Sequence, residues 1–146
     1  MKVVHVVLGV LTLALNAGAG AIGAWLWWRL KTSPWFWRTL RAGQAALVLE
    51  AVLGGVLVID GHKPAGLHYV YGLVPLAVSF VAEQLRVASA EMVLDARGFE
   101  SAKDVGKLEQ EEQMKVVRAI VSREIGVMTL AALVNVILIA RAAGTA

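Results

Sequence analysis

The chain has 146 residues, of which 58% are hydrophobic, and its mean hydropathy of +0.68 is more than one soluble domain of this size can bury. It therefore predicts an integral membrane protein and argues against a soluble or nucleic-acid-binding domain. The formal net charge is only +3, and the lack of cysteine excludes disulfides, thiolate metal sites and cysteine-linked cofactors.

Four apolar stretches are long enough to cross about 30 Å of hydrocarbon as helices. They cover residues 3–28, 40–59, 65–85 and 125–140. We therefore expect an all-α, polytopic membrane protein of one domain, with a four-helix transmembrane bundle. The first stretch is predicted to be a span rather than a cleavable leader, because its hydrophobicity continues through Ala19 to Trp28. Ser33 as cap and Pro34 as first helical residue predict where the second helix begins.

Helical apolar spacing continues beyond the third span and resumes before the fourth. Leu85, Met92 and Ala96 belong to the first of these stripes, and Met114 and Val121 to the second. We therefore expect residues 86–123 to form a cytoplasmic helical hairpin that extends the third and fourth helices.

The basic residues give the chain an orientation. Eleven of the 14 lysines and arginines follow the first or the third span. The positive-inside rule puts both of these segments in the cytoplasm and both termini outside, in what we expect to be a bacterial plasma membrane. All five tryptophans fall near one interface, as in an aromatic belt. The expected partner is the lipid bilayer, and the chain could also form an oligomer or be a subunit of a larger membrane complex.

Two histidines stand four residues before a glycine, each at the start of an apolar run. These pairs are His5 with Gly9 and His68 with Gly72. Residues four apart lie on one helix face, about 6 Å along the axis, so each imidazole has a patch without a side chain beside it. Two such helices could offer two imidazoles to one haem iron and two recesses to its porphyrin. The alternative is a capped helix end with ordinary glycine packing.

The segment from Gln44 to Val56, followed by Pro64 and His68, resembles one four-helix half of the haem A synthase family, over roughly the first three spans. The resemblance implies a haem near the outer face, ligated by the histidine that opens the third helix and by one at the outer end of the first, where His5 stands. Glu50 replaces a frequent glutamine of the family.

The family's catalytic half also carries an acidic residue about one turn before its first histidine, and this chain has Met1 and Lys2 in that neighbourhood. We therefore do not expect an enzyme on its own. The leading hypothesis is a non-covalent haem b with His5 and His68 as axial iron ligands, in a small cytochrome b or haem-carrying subunit. Electron transfer with a quinone or redox-protein partner would be its activity.

Around this haem we expect Gly9 and Gly72 beside the ring, and His62, Lys63 and Tyr69 near its propionates. His62 could instead replace His5 as the second ligand. Other hypotheses are a cofactor-free structural or assembly protein that recruits a partner through the hairpin, a small transporter, and an outer-face zinc or copper site made of the three histidines.

Three polar residues are predicted at middle depth in the membrane: Glu50, Asn16 and Asn135. They could form one hydrogen-bonded cluster, in which Glu50 either joins helices as a protonated acid or relays protons. Glycines in the first two spans are expected to let helices pack closely; they are Gly18, Gly20, Gly23, Gly54 and Gly55.

Overall fold

The structure is a computed structural model, and it describes residues 1–145. It has five helices in these residues and no strand: α1 (Lys2–Arg29), α2 (Pro34–Ile59), α3 (Gly66–Asp95), α4 (Ala102–Val105) and α5 (Gln110–Ala143). All but the short α4 are long and apolar enough to cross a membrane. The prediction of an all-α fold with four membrane-length helices is therefore confirmed.

The turn between α1 and α2 follows from its local sequence. Leu30 caps α1 in the left-handed conformation, with φ of 50°, and so reverses the chain. Ser33 then accepts a hydrogen bond from the backbone N–H of Trp35 at 3.3 Å, and Pro34 is the first helical residue. The predicted start of the second helix is thus confirmed. The helix begins six residues before the predicted apolar stretch, which started at residue 40. The reason is that a stretch chosen by hydropathy leaves out the first helical turns, which carry Arg38.

The four long helices are not packed equally. α1 packs along both α2 and α5, and α3 packs along α5, whereas α2 and α3 touch each other little. The main core lies where α1, α2 and α5 meet, and it contains Ala19, Leu26, Phe36, Leu40, Ile125, Met128 and Ala132. Large apolar side chains also face outward, such as Trp28 at 80% and Ile59 at 85% exposure. An apolar exterior of this kind suits a bundle surrounded by lipid.

A polar clamp holds α2 against α3 where apolar packing between them is sparse. The Glu83 carboxylate of α3 pairs with Arg41 of α2 and accepts a hydrogen bond from Gln44 Nε2 at 3.0 Å. Arg86 Nε lies 3.0 Å from Glu83, and its Nη1 lies 3.4 Å from Glu124 of α5. These five side chains join three helices.

A second, smaller apolar cluster lies between the end of α3 and the start of α5, around Val93, Val105 and Val116. Val105 belongs to α4, a helix that the sequence pattern did not predict because it has only four residues. Asp104 fixes this short turn, since its carboxylate accepts a hydrogen bond from the Ser101 N–H at 3.1 Å and pairs with Lys107 at 2.7 Å.

Candidate functional site

A cavity of about 550 Å³ opens at the end of the bundle where α1 and α3 begin and α2 ends. We call it the histidine cavity, because all three histidines of the chain line it: His5 from α1, His62 from the loop after α2, and His68 from α3. Its walls are mostly apolar. α2 and α3 contact each other little, and the cavity is lined by residues of both together with α1 and α5.

His5 and His68 face each other in this cavity. Their ring centroids lie 6.1 Å apart, and the ring planes make an angle of 64°. The two residues come from different helices that are distant in sequence. The structure therefore brings together the two histidines that the repeated pattern singled out.

The His68 ring is held by the last turn of α5. Its Nδ1 lies 3.0 Å from the carbonyl oxygen of Ala142. A carbonyl oxygen can only accept, so Nδ1 must carry the proton in this bond. In the neutral ring with its proton on Nδ1, the Nε2 atom has the free lone pair with which histidine binds a metal ion.

His5 has an acidic neighbour in Glu50 of α2. The Nδ1 atom of His5 lies 3.0 Å from Oε1 of Glu50, and both side chains are about one-fifth exposed. This is ion-pair distance, but the ring plane is not aligned for a hydrogen bond. His5 Nδ1 and the other carboxylate oxygen, Glu50 Oε2, are buried without a hydrogen-bond partner in residues 1–145. The pair is therefore a close polar contact with unused hydrogen-bonding capacity.

His62 is carried by the turn that ends α2. Gly61 has a φ of 87°, a backbone conformation that residues other than glycine rarely adopt. The backbone N–H of His62 then donates a hydrogen bond to the Leu57 carbonyl at 3.0 Å. This turn directs His62 to the cavity. Its Nδ1 atom is buried and has no hydrogen-bond partner within the described residues.

The residues predicted around the haem also line the cavity, but the two glycines among them differ. A Cβ atom added at Gly9 would lie 3.0 Å from Glu50 Oε1, so the Glu50 side chain covers the Gly9 face. A Cβ atom added at Gly72 would meet nothing within 4 Å, so this glycine borders open space. Lys63 and Tyr69 are part of the lining.

Sequence reasoning missed several contributors to the lining, among them Lys2, Tyr71 and the end of α5 around Ala142. Tyr71 follows His68 by three residues, a helical spacing that puts both on one face of α3 and could have identified it, but the Ala142 carbonyl has no signature in the sequence. Any residue type offers such a carbonyl.

The structure does not join Glu50, Asn16 and Asn135 into one cluster. Asn16 Nδ2 donates to the Thr12 carbonyl at 2.9 Å, and Asn135 Nδ2 donates to Ser79 Oγ at 3.0 Å. Glu50 lies beside His5 instead. The reason is helix register: Gly9 of α1 packs at the level of Glu50, whereas Asn16 packs at the level of Gly43, nearly two turns away.

Residues 1–145 contain no group of three or more histidine or acidic side chains arranged to hold a metal ion. The three histidines thus share a cavity but do not converge on one point. A haem needs only two of them. His5 and His68 lie 6.1 Å apart between ring centroids, which would leave room for one metal ion between them, since a metal–nitrogen bond of histidine is about 2.0 Å long.

Comparison with known proteins identified no relative of this chain. No family model matches the chain, and neither a curated protein nor a solved structure is significantly similar to it. The resemblance to haem A synthase therefore stays a prediction, and the assignment of a function depends on the residues of the cavity.

Proposed function

We propose that this protein binds one haem b non-covalently in the histidine cavity and serves as a membrane electron-transfer protein or haem-carrying subunit. The observation that carries the proposal is the pairing of His5 with His68 across the cavity, at 6.1 Å between ring centroids. The His68 Nδ1–H donates to the Ala142 carbonyl at 3.0 Å, which leaves Nε2 of the neutral ring free for iron. His5 Nδ1 lies 3.0 Å from Glu50 Oε1 without a hydrogen bond, so the tautomer of His5 is not fixed by this contact.

The lining suits an amphiphilic macrocycle. Apolar side chains of α1, α2 and α3 form most of the wall, and Gly72 leaves open space beside His68. Lys2 and Lys63 add two cations, which could pair with the propionates. The cavity volume of about 550 Å³ lies within the range of ligand pockets. The buried Glu50 Oε2 and His62 Nδ1 could also accept or donate hydrogen bonds to a bound group.

Bound haem would supply one-electron transfer. His5 and His68 would both ligate its iron, which would leave no position for oxygen and would favour electron transfer over oxygen chemistry. The protein's own residues would hold and orient the ring: Ala142 fixes His68, and Glu50 stays beside His5. A quinone or a redox protein would be the exchange partner.

We infer the membrane arrangement from the charges together with these helices. α1, α2, α3 and α5 would cross a bacterial plasma membrane with the histidine cavity at the outer face and both termini outside. The continuations of α3 and α5 around Val93 and Val116 would then form the cytoplasmic hairpin. This layout would resemble one half of haem A synthase, without the acidic residue of its catalytic half.

The test is the absorption spectrum of protein purified after expression with ample haem. We expect a Soret band, with the sharp α and β bands of a low-spin bis-histidine haem on reduction, and one iron per chain by elemental mass spectrometry. The His5→Ala and His68→Ala variants should each lose the low-spin spectrum. The matched control is His62→Ala, which removes the third histidine of the same cavity. This variant should retain the low-spin spectrum.

Four results would count against the proposal or against its choice of ligands. Wild-type protein without a Soret band would end it. Unchanged spectra in both the His5→Ala and His68→Ala variants would refute the ligands, and loss in the His62→Ala variant together with retention in His5→Ala would move the second ligand to His62. Zinc or copper in place of iron would favour a metal site instead.

A further inference from the structure

A second pocket of about 310 Å³ lies far from the histidine cavity, between the last turn of α1 and the first half of α5. We call it the α1–α5 pocket. Its apolar wall is formed by Leu26, Trp27, Leu30, Val117, Val121 and Ile125. The tryptophan-rich end of α1 lies here, so the pocket is at the level that tryptophan prefers in membrane proteins, the boundary between hydrocarbon and headgroups.

Two cations stand at this apolar wall. Lys31 and Arg118 both line the pocket, and none of the ion pairs in residues 1–145 includes either of them. The lining in the described part of the chain contains no acidic side chain, and it adds the hydroxyl groups of Thr32 and Ser122. The pocket therefore combines an apolar surface with an uncompensated charge of about +2.

The backbone at Leu30 supports a role for this surface. Leu30 holds φ of 50°, and it is the one residue other than glycine with positive φ in residues 1–145. Glycine would take this position without steric cost, whereas leucine has to bear about 1 kcal/mol or more. The Leu30 side chain is nevertheless 60% exposed on the pocket wall, so its burial within the chain does not offset that cost.

The pocket floor is set by close packing. The Trp27 indole lies on Gly126 of α5, where an added Cβ atom would come within 2.9 Å of Trp27 Cε2. This contact holds the indole flat against α5. The wall is thus preformed, which lowers the cost of binding a ligand.

We propose that the α1–α5 pocket binds one anionic phospholipid. Its phosphate would pair with Lys31 and Arg118, and an acyl chain would cover Leu30 and the apolar wall. Basic pockets between membrane helices on the side with an excess of lysine and arginine suit anionic headgroups. This proposal requires membrane insertion but not haem, so it stands or fails separately from the function proposed above.

The test is native mass spectrometry of the detergent-solubilised full chain, titrated with phosphatidylglycerol or with phosphatidylcholine of the same acyl chains. We expect one phosphatidylglycerol to bind with at least tenfold lower Kd than phosphatidylcholine. The Lys31→Gln and Arg118→Gln variants should each raise the Kd for phosphatidylglycerol about fivefold. Leu30→Gly should also weaken binding while the protein keeps or gains thermal stability, because glycine relieves the backbone.

A charge-matched control is the double variant Lys103→Gln, Arg97→Gln, which removes two exposed cations outside the pocket and should bind like wild type. If the glutamine variants lose helicity, Lys31→Arg and Arg118→Lys replace them and should retain binding. Equal affinity for the two lipids, or an equal loss in the control, would overturn the proposal. So would displacement of the lipid by millimolar inorganic phosphate, which would identify a free-phosphate site instead.

Discussion

His68 Nδ1 lies 3.0 Å from the Ala142 carbonyl oxygen, and this contact ties the first turn of α3 to the last turn of α5. Residues near the C-terminal end of the chain therefore decide how a histidine in its middle is oriented. The partner is a backbone atom, so the hydrogen bond itself does not use the Ala142 side chain. The ring orientation depends on helix packing rather than on a second side chain.

The open face at Gly72 gives a direct test of the cavity as a haem site. In the Gly72→Leu variant the new side chain would occupy the open space beside Gly72, where the haem is proposed to lie. We therefore expect haem occupancy to fall at least tenfold while helicity is unchanged. Occupancy is measured as the ratio of Soret to protein absorbance. Gly66→Leu is the matched control, because it lies in the same helix and is equally uncrowded but does not line the cavity. Equal occupancy in the two variants would contradict the assignment.

Gly23 and Gly55 should respond oppositely to the same substitution. A Cβ atom at Gly23 would clash with Thr129 Oγ1 and Phe36 Cε2, so Gly23→Ala should separate helices and destabilise the bundle by about 1–3 kcal/mol. At Gly55 nothing lies within 4 Å, so alanine should be neutral or stabilise the helix by up to about 1 kcal/mol. Thermal denaturation in detergent followed by circular dichroism measures both. Comparable losses at the two positions would mean that Gly23 is not a packing contact.

The two glycines illustrate what the sequence could and could not predict. Apolar length and cap chemistry are local properties, so the four long helices and the start at Pro34 could be predicted. Close packing depends on which face meets a neighbour, and this requires the bundle order. Hence Gly23 and Gly55 both lie in apolar helices but have different surroundings, one against Phe36 and the other in the open.

The candidate site was predictable to the same extent. The repeated spacing picks out His5 and His68, and charge bias puts them at one end of the bundle. Glu50 could not be assigned to His5 from sequence, because its neighbour depends on the register between α1 and α2. The Ala142 carbonyl was equally hidden, since a backbone acceptor carries no residue preference.

The polar clamp should contribute measurably to stability. Glu83→Gln removes the charge that Arg41 and Arg86 share, so we expect a loss of about 1–2 kcal/mol, limited because Arg41 is 49% exposed. Chemical or thermal unfolding in detergent measures the loss. Glu91→Gln is the control, since Glu91 is an exposed acid of the same helix that joins no ion pair within the described residues. A loss of equal size in the control would show that the clamp adds nothing specific.

The orientation can be tested by labelling, because the chain has no cysteine of its own. Single cysteines at Thr32, Asp60 and Lys103 mark three exposed positions in different connections. A membrane-impermeant maleimide applied to intact cells should label only Asp60→Cys, and all three should react after lysis. Labelling of Thr32→Cys and Lys103→Cys in intact cells would reverse the topology and put the histidine cavity on the cytoplasmic side.

Asp104 gives the turn around α4 a defined pH dependence. The hydrogen bond from Lys107, followed by that from Ser101, lowers the pKa of the Asp104 carboxyl below its ordinary value. Because the folded pKa is the lower one, the contribution to stability is full above pH of about 4 and is lost as pH falls through the folded pKa. The carboxyl is partly exposed and lies in a short turn outside the bundle core, so we expect local opening rather than unfolding of the bundle. Amide hydrogen exchange at residues 101–107 should accelerate, beyond its intrinsic pH dependence, as the pH falls below about 4. Asp104→Asn should exchange faster at neutral pH and lose this additional dependence, whereas an unchanged profile in that variant would show that the carboxylate does not stabilise the turn.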